Sequence, residues 1–308
     1  MVYWLITIIL SYLFFAFSSL VDKLVLSGKP KASSYTFYIG VFGVFAIIFI
    51  PFVGWFYPFT NFSLPDLDSL VWIILDALVH VVGIYCMFLA LQKFDVSKVV
   101  STIGATKPIF IFLLTLLFWG NQIITPQSFW AFVLLFVGSI LISIERNAQT
   151  TQNYLKLTIL SSLMFSLDYI FSKFVFLNQP FLQGLIWIRL FVFLFALLFI
   201  LNQKSRKEIF EKQTILDRKT QIIFLAVQTC VGLAYFLQSL AISLVPVAFL
   251  ATINSLKGIQ YAFLFIITFL VSHFFPRVLK EGLTKEIIIQ KIVSIVIIAV
   301  GLAMLVNY

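Results

Sequence analysis

Eight ionisable side chains stand in stretches otherwise suited to hydrocarbon: the bases Lys23, Lys107, Lys173, Arg189 and Lys257, and the acids Asp22, Asp76 and Asp168. A charge at the centre of a bilayer costs about 2.5–3.5 kcal/mol on insertion scales, so each needs a partner, water or a task. Lys107 and Lys257 each fall roughly nine residues into an apolar run. At about 1.5 Å per residue that is about 14 Å deep, near the middle of a core about 30 Å thick. The next residue is Pro108 in one run and Gly258 in the other. Both loosen a helix, by a lost donor or by backbone freedom, and are expected helix breaks. Asn254, Lys257 and Tyr261 share one helical face. Such lysines either line a polar site or tie helices together through Asp76 and Asp168. Five bases against three acids leave an excess of two cations, which favours an anionic ligand carrying carboxylate or phosphate.

The run 155–177 carries Ser161, Phe165, Asp168 and Ser172 along one stripe, with Ser162, Ser166, Tyr169 and Lys173 beside it. Asp168 is therefore a candidate for proton coupling or for balancing Lys257, with a packing salt bridge as the alternative. Asp76 and His80, at i and i+4, read as a hydrogen-bonded pair that could relay a proton. A metal is not expected there, because no third or fourth ligand is in reach, and no cofactor is expected. Tyr85 and Tyr235, at mid-span depth, could offer a ligand ring stacking and a hydroxyl. Arg189 could clamp a substrate or partner Asp168. Lys23 and Lys173 lie near span ends, where lysine can snorkel, and read as gates or anchors. Cys86 and Cys230 are apolar filling, and no Ser/His/Asp set or nucleophile elbow is present.

Hydrocarbon must surround the elements that position these groups. Of the 308 residues 62% are hydrophobic and 11% charged, and the mean hydropathy is +1.09. No soluble interior could hide that much apolar surface. Apolar runs long enough to span a membrane fall near 3–26, 35–57, 70–91, 98–119, 127–144, 155–177, 182–201, 221–243, 248–270 and 287–306, which makes ten. The first lacks a basic n-region and reads as a retained span, not a cleaved signal. Sixteen of the 21 basic residues sit in the odd-numbered loops, and the even loops and both tails hold none. The odd loops are thus expected in the cytoplasm and both termini outside, in a cell (inner) membrane. The net charge of +9 comes without basic clusters interleaved with exposed aromatics, so no nucleic-acid partner is expected.

Shifted by 150 residues, the chain matches itself without a gap from about Ser11 to Trp119. FAIIFI at 45–50 falls on FALLFI at 195–200, Ser11 on Ser161, Lys23 on Lys173, Tyr85 on Tyr235 and Lys107 on Lys257. Further on, Val137-Gly138 resembles Val300-Gly301. Lipid-facing composition does not supply matched lysines. The fold expected is an all-α membrane protein of ten transmembrane helices in two five-helix repeats, residues 1–147 and 148–308. An odd number of spans inverts the second copy, the arrangement of many secondary transporters, which bind at the repeat interface.

The chain resembles EamA-type members of the drug/metabolite transporter superfamily. The likeness rests on the ten spans in two repeats and on the turns FDVSKVVSTIGATKPIF and LVPVAFLATINSLKGIQ that lead into the fourth span of each. Many relatives close that span with Gly-Glu, whereas here Gly120 precedes Asn121. The resemblance implies alternating-access transport of a small-molecule substrate, with spans five and ten peripheral, and no enzymatic activity. A lipid-linked-sugar flippase of the same fold is the alternative, and an intramembrane transferase a more distant one. Ala299-x-x-x-Ala303 is a close-packing motif that would suit a homodimer.

Overall fold

A computed structural model describes residues 3–25, 32–44, 63–93, 96–120, 125–143, 152–210, 218–274 and 285–306. Twelve α-helices occupy them: α1 (Tyr3–Val25), α2 (Ala32–Phe42), α3 (Leu67–Lys93), α4 (Val96–Trp119), α5 (Pro126–Ser143), α6 (Gln152–Asn178), α7 (Phe181–Leu197), α8 (Gln203–Phe210), α9 (Arg218–Leu244), α10 (Leu250–Ser255), α11 (Lys257–Phe274) and α12 (Lys285–Val306). Every described element is helical, as a chain in hydrocarbon requires when each backbone group must find its partner internally.

Five stretches are long and apolar enough to cross a bilayer: Leu67–Gln92, Thr102–Trp119, Lys156–Asn178, Phe181–Leu201 and Val247–Thr268. Shorter apolar stretches, Tyr3–Ser19, Phe129–Ile142, Thr229–Leu244 and Ile288–Met304, lie in α1, α5, α9 and α12. The boundary expected at 147/148 falls outside the described residues, as does most of the second expected span.

The helices gather into two groups. In one, α6 packs along α3 and α4, and in the other α1 packs along α9 and α11. Paired with each other, α5 and α12 lie against α11. One apolar core cluster takes in sealed residues from both groups, among them Ile8, Tyr12, Ile73, Ile170, Leu250, Ile253 and Leu256. Leu113, Leu117, Val293, Val296 and Val300 point outward, as a lipid-facing surface would.

Two local features depart from the sequence reading. Pro108 does not break its helix, because α4 runs unbroken from Val96 to Trp119. Its ring removes one backbone donor, and a membrane helix packed among neighbours tolerates that loss. The break lies instead at Leu256 between α10 and α11, one residue before Lys257 and two before Gly258. The polar connection 202–220 also contains α8, held to α2 by the Tyr38 hydroxyl, which donates to the Ile209 carbonyl at 3.1 Å.

Candidate functional site

A small cavity of about 20 Å³ lies where α3, α6, α7 and α9 meet. Its walls include Asp76 and His80 from α3, Asp168, Tyr169 and Ser172 from α6, Arg189 from α7, and Tyr235 and Gln238 from α9. That is room for about one water molecule, so this conformation is closed around the polar cluster. α3 can approach α6 this closely because of Gly83. A Cβ there would stand 3.2 Å from Met164 Cβ and 3.1 Å from the Phe165 ring. Ser161 Oγ fixes the contact by donating to the Gly83 carbonyl at 2.8 Å.

Asp76 and His80 share a face of α3 but do not pair with each other, as their spacing suggested. Each finds a partner on α6, because the face they share is the one α6 covers. His80 Nδ1 lies 3.0 Å from Asp168 Oδ1, and Ser172 Oγ donates to Asp76 Oδ1 at 2.8 Å. When Asp168 is ionised it can only accept, so the proton is on Nδ1. Asp76 is sealed from solvent, and its Oδ2 has no hydrogen-bond partner. Asp168 and Arg189 both lie within electrostatic reach of Asp76, and Arg189 places its guanidinium carbon 5.1 Å from the Tyr235 ring centroid.

Tyr169 forms the wall between this cluster and a cationic one. Lys107 Nζ sits 3.8 Å from the centroid of its ring and 5.5 Å from that of Phe165. Such a cation–π seat is worth about 2 kcal/mol or more once desolvated. On the Tyr169 hydroxyl, Gln238 Nε2 donates a hydrogen bond. Lys107 is within electrostatic reach of Asp168 and of Lys257. Beyond Lys257 on the broken helix lie Asn254, whose buried Nδ2 has no hydrogen-bond partner, and Tyr261, whose hydroxyl also has none. Tyr261 reaches across to α4, where its hydroxyl lies 3.0 Å from the Cβ position of Gly104, three residues before Lys107. Lys257 thus lies within electrostatic reach of a cation, and Asp168, one candidate to balance it, is hydrogen-bonded to His80.

The EamA-like transporter family model matches residues 2–144. Over those residues the chain is similar to the EamA-like transporter family. A solved crystal structure similar to this chain extends the comparison to the rest of its length. At 16% identity it covers 97% of this chain and 93% of its own, with a TM-score of 0.66, so the fold is shared nearly end to end. No curated protein matches the chain. With its apolar helices and this match over residues 2–144, the chain is an integral membrane protein.

The remaining expected site residues are scattered. Tyr235 lines the cavity, with its ring edge-on to Phe15 at 5.1 Å. Tyr85, its repeat mate, packs instead on Phe199 at 5.4 Å and is not among the cavity's residues. Lys173 is fully committed: its Nζ donates to the carbonyls of Ile242, Ser243 and Val245 at 3.1, 3.0 and 2.6 Å, across the end of α9. The side chains of Lys23 and Asp22 lie outside the described residues.

Sequence reading missed Tyr12, Gln238 and Ser139. Tyr12 donates to the Ile253 carbonyl at 2.8 Å. Its repeat mate Ser162 contacts the carbonyl of Ile103, itself the mate of Ile253, at 3.5 Å. A polar side chain at mated positions was therefore a signal present in the sequence. Ser139 had none, because Leu302 stands at the corresponding place in the last span.

Proposed function

We propose that this protein is a secondary transporter that moves a small polar anion, bearing carboxylate or phosphate, by alternating access between two inverted repeats of five spans. Residues 1–147 and 148–308 are the two copies, ten spans in all, with both termini outside the inner membrane. Mated contacts support the inversion. Ser11 donates to the Ala234 carbonyl at 2.7 Å as its mate Ser161 does to Gly83. Gly138 of α5 lies against Ile298 of α12, and Gly301 of α12 against Leu135 of α5. The α3–α6 and α9–α1 pairings likewise exchange when the chain is shifted by one repeat.

The observation that carries the reading is that Lys107 of α4 lies within electrostatic reach of Lys257 of α11, whose neighbours along the chain include the unpartnered donors Asn254 Nδ2 and Tyr261 hydroxyl. Two ammonium groups brought together in a place shielded from water repel each other unless an anion joins them. Lys173 is spent on backbone carbonyls, which leaves Lys107, Arg189 and Lys257 against Asp76 and Asp168, one cation in excess. Lys107, Lys257 and Asn254 hold the anion, and Arg189 and Tyr235 line its path. Asp76, His80 and Asp168 balance the charge or exchange the coupling proton.

In proteoliposomes, Lys107→Gln and Lys257→Gln are expected to abolish uptake of phosphorylated or carboxylated metabolites while the purified proteins remain folded. Uptake at the parent rate would overturn the role of both lysines. Translocation of a lipid-linked sugar with no uptake of soluble anions would favour the flippase reading.

A further inference from the structure

In an unbroken helix the Gly258 N–H would bond to Asn254, and the Ser255 carbonyl would accept from Ile259. At the α10–α11 junction both are diverted. The Ile259 N–H turns to Leu256 at 2.9 Å, and the Gly258 N–H goes across to Ser139 Oγ on α5 at 3.0 Å. The Ser139 hydroxyl hydrogen is donated to the Ser255 carbonyl. One buried hydroxyl thus satisfies both orphaned backbone groups, one on each side of the break. Buried backbone groups left without partners are costly, so the bent form depends on such a substitute.

The fit is close. A Cβ at Gly258 would run into the Ser139 hydroxyl and approach Ser139 Cα to 3.1 Å and Ile298 Cδ1 to 2.7 Å. Lys257 lies between the two backbone groups that Ser139 holds, so the direction of its side chain follows from that clamp. The first copy has no counterpart. Pro108, the mate of Gly258, has no N–H to satisfy, its helix runs unbroken, and Leu302 stands where the clamp would be.

We infer that Ser139, on a helix otherwise outside the polar cluster, is a positioning residue that holds the break open and thereby aims Lys257 at Lys107. This rests on reading Lys257 as part of the anion site, but it can be tested apart from it. Hydrogen exchange followed by mass spectrometry reads the Gly258 amide, and competitive acetylation with acetic anhydride reads each lysine without any substrate. In Ser139→Ala the Gly258 amide should exchange about five-fold faster, the factor expected for one lost hydrogen bond. Acetylation of Lys257 should change by about three-fold or more while Lys107 stays the same. Ser139→Thr, which keeps the hydroxyl, should restore both, and Ser139→Cys, a weak donor that also leaves the fold filled, should fall between.

Unchanged exchange and labelling in Ser139→Ala and Ser139→Cys would overturn the inference. So would equal changes at both lysines, which would mark general loosening. Binding of inorganic phosphate gives the functional arm. Weakened binding in Ser139→Ala with rescue by Ser139→Thr supports positioning. If Lys257→Gln leaves phosphate binding intact, the reading of the anion site fails, yet exchange and acetylation still decide the role of Ser139.

Discussion

Replacing Lys173 with methionine removes the contact that joins the two helix groups at one end. α6 belongs with α3 and α4, and α9 with α1 and α11, so the three bonds from Lys173 to Ile242, Ser243 and Val245 run between bodies. They cap the last carbonyls of α9 with a positive charge, where the helix dipole favours one. Hydrogen bonds to a charged donor are worth about 1.5–3 kcal/mol each, or about 4.5–9 kcal/mol for three before costs. Lys173 is only 3% exposed, and holding an ammonium there costs several kcal/mol in return. The net preference for the closed end is then about 2–3 kcal/mol, a population factor of about 30–150. If that end opens during transport, Lys173→Met should open it more often by that factor.

Ser243, half-buried beside the contact, can be made cysteine in a background where Cys86 and Cys230 are serine. A membrane-impermeant maleimide added from outside should then react at least about ten-fold faster in the Lys173→Met variant than in its parent. Equal rates would refute the view that this lysine closes a gate. A loss of thermal stability with equal rates would leave it as an anchor.

Gly83→Leu should force α3 away from Met164 and Phe165, with a destabilisation of about 1–3 kcal/mol from overpacking, seen as a lower midpoint in denaturant titration. It should also abolish uptake by parting His80 from Asp168, and parent-level uptake would show that their contact is dispensable. Asp168→Asn removes a negative charge within reach of Lys107, so it should tighten phosphate binding several-fold while weakening any pH dependence of uptake. Looser binding would assign Asp168 to positioning Lys107.

The order of residues along a helix was legible in the sequence, and its azimuth was not. Counting residues from the start of each run led to the expectation that Lys107 and Lys257 share a level, and Lys257 is among the charges that act on Lys107. A helical face, by contrast, says which residues stand together and not what covers them. Asp76 and His80 were therefore expected to meet each other, whereas α6 supplies a separate partner to each. Pro108 looked like a break because proline costs a donor, yet neighbouring helices hold α4 straight. Its mate at Gly258 lies at a real break because a serine from a distant span caps the freed groups. No local pattern announces such a partner. Lys173 read as a gate or an anchor without a named partner, because its partners are backbone carbonyls, which every sequence supplies.

The arrangement of charge favours an anion over a cation as cargo. Were Asp168 free to pair with Lys257, that lysine would be neutralised by the protein itself. Instead His80 holds Asp168, while Ser172 and Arg189 attend Asp76, so the carboxylates are engaged on the α3–α6–α7–α9 side. Lys107 rests on the Tyr169 ring, a partner that stabilises a cation without neutralising it. Lys257 has a cation as its charged neighbour there, beside an amide donor and a phenol donor that lack acceptors. A cationic ligand would add repulsion at that place and satisfy neither donor. An oxyanion would relieve the repulsion and accept from both, bridging α4 and α11, which lie in different helix groups. Binding energy spent on joining the groups is what lets a ligand shift the balance between two arrangements of the same bundle.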